Sequence, residues 1–151
     1  KGQAEIIENI PYSSNGQKLT LILPWAKKDK RTEAPRRPLI LFVQGSAWTT
    51  PNLGYEIPML SHYAEEGIAV ATVSHRSVID GHPFPSFLVD VKCAIRFLRA
   101  NAEKYCLDPE KFALAGDSDS IAFKQDIMFE RRRNIQHMPV LLSRQQKFCL
   151  G

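Results

Sequence analysis

Leu39–Val43 is an unbroken apolar run, and it constrains the fold more than any other feature of the 151-residue chain. A run of this length is typical of a strand that is buried on both faces of a parallel sheet. Ile68–Val73 is a second run of this kind, and Phe112–Ala115 is a shorter third. The sequence therefore predicts a sheet with at least three buried strands.

The segments between these runs have helical periodicity. Apolar residues within Tyr55–Glu66 recur at helical spacing, and Gly67 follows at the position where glycine ends many helices. Phe87–Ala102 carries apolar residues at three- and four-residue steps, which makes it the strongest helix in the chain. Asp108–Glu110 reads Asp-Pro-Glu, a pattern that predicts the N-cap and first turn of a further short helix.

An antiparallel hairpin is predicted at the start of the chain. Ala4–Ile10 and Lys18–Leu23 flank Ser13–Gly16, which contains an Asn-Gly dipeptide. The whole pattern predicts an α/β fold, in which an N-terminal β-hairpin leads into a mostly parallel sheet with helices on both faces. Ligand sites of such sheets lie at the carboxyl ends of the strands, and two of these ends stand out: Gln44–Trp48 and Gly116–Ser120.

Composition and charge exclude several classes of protein. No apolar run approaches the ~18–20 residues that a membrane-spanning helix needs. The formal net charge is +4, and the basic clusters within 27–31 and 131–133 contain no interleaved aromatic residues, so nucleic-acid binding is not expected. No G-x-G-x-x-G or Walker sequence follows a strand, which argues against a nucleotide site. Because the sequence starts at Lys1 without an apolar leader segment, localisation stays open, with a cytoplasmic protein favoured over a secreted one.

The segment after the third apolar run has the form of a nucleophile elbow, a tight strand-to-helix turn that exposes a serine. It reads Gly116-Asp117-Ser118-Asp119-Ser120, with a small residue two positions before Ser118 and a serine two positions after it, where glycine is expected. Taken alone, these five residues are more typical of a helix N-cap, because Ser and Asp are common at helix starts.

Four longer blocks support the interpretation as an elbow. They are Arg37–Trp48, Ala69–Arg76, Pro83–Ala102 and Tyr105–Ser118. In order, they are similar to a strand with a His-Gly-Gly-Gly-Trp loop, a strand that ends in Tyr-Arg, the helix that follows it, and the approach to a nucleophile elbow. Order and spacing agree over residues 18–118. The chain thereby resembles the α/β-hydrolase superfamily, in the carboxylesterase and lipase branch related to hormone-sensitive lipase and to feruloyl and acetyl-xylan esterases.

The resemblance implies a serine carboxylesterase-type hydrolase that acts on short-chain or aryl carboxylic esters. Ser118 would be the nucleophile, and the N–H groups of Gly45, Ser46 and Asp119 would lie near the oxyanion. Neither a metal nor an organic cofactor is implied, and the partner would be a small-molecule ester.

Four further polar residues lie between the second apolar run and the long helix or within that helix. Arg76 and Asp90 stand where the family pairs a strand end with the following helix, and we expect a structural ion pair. His75 and His82 lie near the presumed mouth of the site. We expect surface or packing roles for both histidines, because neither occupies the family's base position.

The chain departs from the family in the loop after the first apolar run. This loop reads Gln44-Gly45-Ser46-Ala47-Trp48, so the histidine and two of the three glycines are replaced. The backbone N–H groups remain, but the side chains of Ser46 and Ala47 are expected to restrict their orientation.

A second departure follows Ser118, where bulky and charged residues replace the small ones of the family. Asp126 and His137 follow in triad order, yet both precede or border a predicted further strand at Met138–Leu142. We therefore expect neither of them at the family's acid or base position. Residues 1–120 are interpreted as a partial α/β-hydrolase domain and residues 121–151 as a divergent C-terminal tail that contains a helix.

Two functional interpretations remain open. The first is a carboxylic-ester hydrolase that is weak or inactive as this chain, because the triad acid and histidine are missing. The alternative is a non-catalytic ligand-binding or interaction domain on the same scaffold. An incomplete sheet also predicts self-association through an exposed sheet edge, marginal stability or poor solubility.

Overall fold

A five-stranded mixed sheet with two helices forms the framework of the protein. The computed structural model describes residues 3–26, 34–45 and 50–116. The strands and helices in these ranges are β1 (Ala4–Pro11), β2 (Lys18–Pro24), β3 (Arg37–Val43), α1 (Ile57–Glu65), β4 (Ala69–Val73), α2 (Ser86–Ala100) and β5 (Leu107–Gly116). Their sequence order confirms the predicted hairpin and the strand–helix alternation that follows it.

The order of strands in the sheet is β1-β2-β4-β3-β5. β3 pairs in parallel with both β4 and β5, whereas β2 pairs antiparallel with β1 and with β4. The two hairpin strands therefore extend the sheet beyond β4, and the sheet contains both antiparallel and parallel pairs. Among the described residues, no helix is long and apolar enough to cross a membrane.

Side chains of alternate residues in the central strands point to opposite faces of the sheet, and each face is covered by one helix. On β3, Leu41 packs in the cluster that contains α2, whereas Phe42 packs in the cluster that contains α1. The α2 side is the larger core and also holds Leu19, Leu21, Val73, Val91, Ala94 and Leu98. The strands are apolar on both faces because both faces are buried, which is the reason for the unbroken runs in the sequence.

The end of α1 confirms the predicted role of glycine. Gly67 has a φ of +91°, a left-handed conformation that residues with a Cβ rarely adopt. Its N–H donates to the carbonyl of Ala64 at 3.0 Å, and the N–H of Ile68 donates to the carbonyl of Tyr63 at 2.9 Å. This pair of hydrogen bonds is a Schellman motif, and it directs the chain from α1 into β4.

The prediction of a short helix at Asp108–Glu110 is wrong, because these residues belong to β5. Leu107 is fully buried and pairs with Arg37 of β3, and the N–H of Arg37 donates to the carbonyl of Cys106 at 2.8 Å. The register shifts just after this pair, and within the irregularity the Asp108 carboxylate accepts from the N–H of Glu110 at 3.1 Å. The side chain that suggested a helix cap instead stabilises a turn within the strand.

Tyr12 joins the hairpin to the end of β4. Its side chain is buried, and its hydroxyl donates to the backbone carbonyl of Ser74. The Ser74 side chain accepts from the N–H of Lys18 at 2.9 Å and donates to Gln17 at 2.8 Å. Burial, and to a lesser degree the nearby charge of Asp90, raises the pKa of Tyr12 above its ordinary value.

We expect the raised pKa of Tyr12 to reduce stability in alkali. Above about pH 10 the tyrosine of the unfolded chain ionises while the folded one stays protonated, so Tyr12 removes up to ~1.4 kcal/mol of stability for each pH unit. The free energy of unfolding in urea should fall less between about pH 8 and about pH 11 for Tyr12→Phe than for the parent chain. Tyr55→Phe, at a side chain that is 76% exposed, is the matched control and should leave the loss unchanged.

Candidate active site

The carboxyl ends of β3, β4 and β5 meet at one edge of the sheet. Val43, the last residue of β3, pairs with Gly116, the last residue of β5. Phe42 also pairs with Thr72 near the end of β4 on the other side. Because paired strands lie ~4.8 Å apart, β3 and β5 end at adjacent positions, with Gln44 directly following the end of β3.

This register is what the predicted site requires. Gly45 is half-buried and lies two residues beyond Val43, and Ser118 is two residues beyond Gly116 in the sequence. Ser46, Ser118 and Asp119 lie outside the described residues. The structure therefore shows the strand ends that precede the candidate residues, and the roles of all four, Gly45 included, remain predictions.

Gln44 is the residue at the start of this loop, where the resembled family has histidine. Its side-chain oxygen Oε1 is buried, and within the described part of the chain it accepts no hydrogen bond. An unsatisfied buried acceptor costs roughly 1–3 kcal/mol, so such atoms are rare in folded proteins. The sequence marked Gln44 as a replacement but gave no sign of this buried acceptor.

Arg76 and Asp90 form the predicted ion pair, which is confirmed. Asp90 lies on α2 and is only 2% exposed, and its Oδ1 is 2.9 Å from Nη2 of Arg76. The same carboxylate accepts from Nε of Arg76 at 3.0 Å and from its backbone N–H at 2.8 Å. These hydrogen bonds hold the pKa of Arg76 above its ordinary value and fix the chain that leaves β4 against α2.

A third partner of Asp90 comes from the hairpin turn. Asn15 donates from Nδ2 to Oδ1 of Asp90 at 3.1 Å, across 75 positions of sequence. The same side chain accepts at Oδ1 from Ser13 at 2.6 Å and from the N–H of Gln17 at 3.2 Å. Asn15 therefore shapes the turn and anchors it to α2, a role that the Asn-Gly turn signal alone could not reveal.

The two histidines near the strand ends have the packing and surface positions that the sequence predicts. His75 is buried, its ring centroid lies 6.1 Å from that of Phe87, and its Nδ1 is 3.1 Å from the carbonyl oxygen of Arg76. His82 is exposed, and its N–H donates to the carbonyl of Ser77 at 3.1 Å.

Asp80 organises the loop between β4 and α2. Its Oδ2 accepts from the hydroxyl of the buried Ser77, and its own N–H donates back to that hydroxyl oxygen at 3.2 Å. The hydroxyl of Thr50 donates to the same Oδ2 at 3.0 Å. The hydrogen bonds from Ser77 and then Thr50 lower the pKa of Asp80 below its ordinary value, so the carboxylate is ionised at neutral pH.

We expect Asp90→Asn to destabilise the protein by about 2–4 kcal/mol, since it leaves the guanidinium of Arg76 without its charged partner. This destabilisation is slightly smaller than that expected for breaking a fully buried pair, because 27% of the Arg76 side chain is exposed. Asp108→Asn is the matched control, because Lys111, its partner at 3.3 Å, is 70% exposed, and such pairs contribute under about 1 kcal/mol. Equal unfolding free energies for the two variants in urea would contradict the importance of the Arg76–Asp90 pair.

Comparison with known proteins supports the architecture. The sequence profile of the BD-FAE family matches residues 26–120. Esterase LipC of Mycobacterium tuberculosis is 35% identical over 97 residues, which is 62% of this chain and 23% of that protein. Esterase LipQ of the same organism is 30% identical over 111 residues, which is 73% of this chain and 26% of that protein. The chain thus spans about a quarter of the length of these relatives.

Solved structures have the same fold. A bifunctional GH43-CE protein of Bacteroides eggerthii superposes with a TM-score of 0.67 and 31% identity, over 79% of this chain and 16% of that one. A truncated form of a carbohydrate esterase from gut microbiota superposes with a TM-score of 0.65 and 28% identity, over 82% of this chain and 45% of that one.

The profile match covers more than half of the chain, and it includes β3, β4, β5 and both helices. The two relatives are esterases by name. The chain therefore belongs to the BD-FAE family, and it corresponds to the amino-terminal part of an α/β-hydrolase of the carboxylesterase type.

Proposed function

We propose that the chain carries the nucleophile side of a serine carboxylesterase site. Ser118 is the nucleophile, and the N–H groups of Gly45, Ser46 and Asp119 receive the oxyanion. The observation that carries this proposal is the pairing of Val43 with Gly116, the residues that precede Gly45 and Ser118 by two positions each. A nucleophile and oxyanion donors need this proximity, because both act on the same ester carbonyl group.

The chemistry assigns a separate task to each group. The oxygen of Ser118 attacks the carbonyl carbon of the ester, and the negative charge moves to the carbonyl oxygen, where the backbone N–H groups stabilise it. The proton of the serine must pass to a base, and collapse of the intermediate releases the alcohol and leaves an acyl group on the serine. Water then removes the acyl group through a second intermediate of the same kind. Short-chain or aryl carboxylic esters are the proposed substrates.

The proposed site also needs a base that accepts the proton of Ser118. The candidate acid and base after Ser118 are Asp126 and His137, which lie outside the described residues. Both precede or border the predicted strand Met138–Leu142, whereas the resembled enzymes carry these groups after later strands. A serine without a base is a poor nucleophile, so we expect the polypeptide alone to hydrolyse esters slowly.

Gln44 favours a second candidate function, a non-catalytic ligand-binding domain on the same scaffold. The residue replaces the histidine of the resembled loop, and its buried Oε1 accepts no hydrogen bond from any described residue. A non-catalytic domain would bind a short aryl ester without turnover, with NMR shifts at Gly45 and Gly116. An esterase would release the alcohol instead.

The experiment compares hydrolysis of p-nitrophenyl acetate by the polypeptide, by Ser118→Ala and by Ser120→Ala. We expect slow rates that Ser118→Ala lowers by no more than a few-fold, because oxyanion donors and binding alone leave about 10³–10⁴-fold over water when a triad is incomplete. A drop of about 100-fold or more in Ser118→Ala alone would show that a base is present. Stoichiometric labelling of Ser118 by a fluorophosphonate would support the same conclusion, and His137 would then be the first residue to replace.

We also propose that the polypeptide self-associates through the outer edge of β5, with a second copy as the partner. Within the described residues β5 pairs only with β3, so its other edge offers unpaired N–H and C=O groups over Leu107–Gly116. Glu110 and Lys111 are exposed and adjacent, and an antiparallel pairing centred between them would place each opposite its counterpart of opposite charge.

Light scattering at rising protein concentration tests this association. Ala113→Lys places a charge at an exposed position of β5 and should shift the polypeptide toward the monomer, because edge lysines oppose strand pairing. Val89→Lys, at an exposed position of α2, adds the same charge elsewhere and should not change the distribution. A parent chain that stays monomeric at high concentration would refute the proposal.

A further inference from the structure

The loop after β3 is held by described residues at both ends. At its start, Val43 is paired on the sheet with Gly116. At its far end, Thr50 donates its hydroxyl proton to Asp80 Oδ2 at 3.0 Å, and the next residue, Pro51, is buried. The two ends are therefore fixed by different means: the first by sheet register and the second by a side-chain hydrogen bond.

We propose that Asp80 is a positioning residue for the loop after β3, which acts through the hydroxyl of Thr50. The inference rests on the proposed function, in which the N–H groups of this loop receive the oxyanion. Asp80 itself makes no contact with a reacting atom in this scheme. Its task is to hold Thr50, five residues beyond Gly45, at a constant distance from the ends of the strands.

Asp80 suits this task because its own position is fixed. Its carboxylate and its N–H both bond to the hydroxyl of Ser77, which is 3% exposed. Ser77 directly follows Arg76, whose side chain and backbone N–H are bonded to the buried Asp90. An unbroken series of hydrogen bonds and covalent links therefore runs from α2 to Thr50.

The exposure of the hydrogen bond between Thr50 and Asp80 determines how strongly it can affect the order of the loop. The hydrogen bond between Thr50 and Asp80 is exposed, so water competes for both partners. It is charge-assisted, however, and Asp80 is already ordered, so less conformational entropy is lost when the bond forms. We therefore expect a several-fold effect on loop order rather than an effect on folding.

Amide hydrogen exchange followed by mass spectrometry tests the inference in peptides that span 44–52. Thr50→Val, which removes the hydroxyl and keeps the shape, should raise exchange by about three- to ten-fold. Thr50→Ser should restore parental exchange, and Asp80→Ala should raise it at least as much as Thr50→Val, because it also removes the bonds to Ser77. The double variant should exchange no faster than Asp80→Ala, because that variant already lacks the contact with Thr50. Asp108→Asn, at a half-buried residue near the start of β5, is the control and should leave these peptides unchanged.

Ester hydrolysis and fluorophosphonate labelling separate this inference from the proposed function. If Ser118 reacts, Thr50→Val and Asp80→Ala should lower kcat or the labelling rate by about the same factor with KM unchanged, and Thr50→Ser should restore it. A response in exchange supports the positioning role also where Ser118→Ala changes hydrolysis by only a few-fold, which is the result expected of a polypeptide without a base. Binding of the aryl ester without any turnover would instead contradict the esterase site. Unchanged exchange in Thr50→Val and Asp80→Ala would overturn the inference, whatever the activity.

Discussion

The ion pair between Arg76 and Asp90 is the interaction on which the structure at the carboxyl ends of the strands depends. A carboxylate that is 2% exposed needs partners for its charge, and it finds them in the Arg76 side chain, the Arg76 backbone and Asn15. These partners come from the end of β4 and from the hairpin turn, while Asp90 itself lies on α2. One buried charge therefore sets the relative positions of three elements where the candidate site begins.

The hairpin is more than an appendage to the parallel strands. β2 pairs with β4, and Tyr12 and Asn15 connect the end of the hairpin to Ser74 and Asp90. Without this support, the chain that leaves β4 would be held by α2 alone. Burial raises the pKa of the Tyr12 phenol, so at neutral pH the hydroxyl stays protonated and donates to the Ser74 carbonyl.

Periodicity predicted the framework, since the apolar run Leu39–Val43 and the stripe of Phe87–Ala102 correspond to β3 and α2. These signals succeed because burial on both faces leaves no room for polar residues. The prediction of a helix at Asp108–Glu110 failed because a local capping preference is worth only about 1 kcal/mol. Strand pairing and the burial of Leu107 outweigh it. The ion pair of Arg76 and Asp90 was found through family resemblance. The contacts of Asn15 and Thr50 were missed, because nothing local marks a partner 75 or 30 positions away.

The candidate site thus combines two kinds of order with different tolerance to sequence change. Sheet register brings Val43 beside Gly116, and it depends only on backbone hydrogen bonds and on apolar side chains that alternate correctly. The loop after β3 depends on individual side chains at its margins, such as Thr50 and Asp80. Substitutions at Gln44, Ser46 and Ala47 leave the first kind of order intact, because they follow the paired residues. Sequence change can therefore alter the loop after β3 while the paired strands that precede it keep their register.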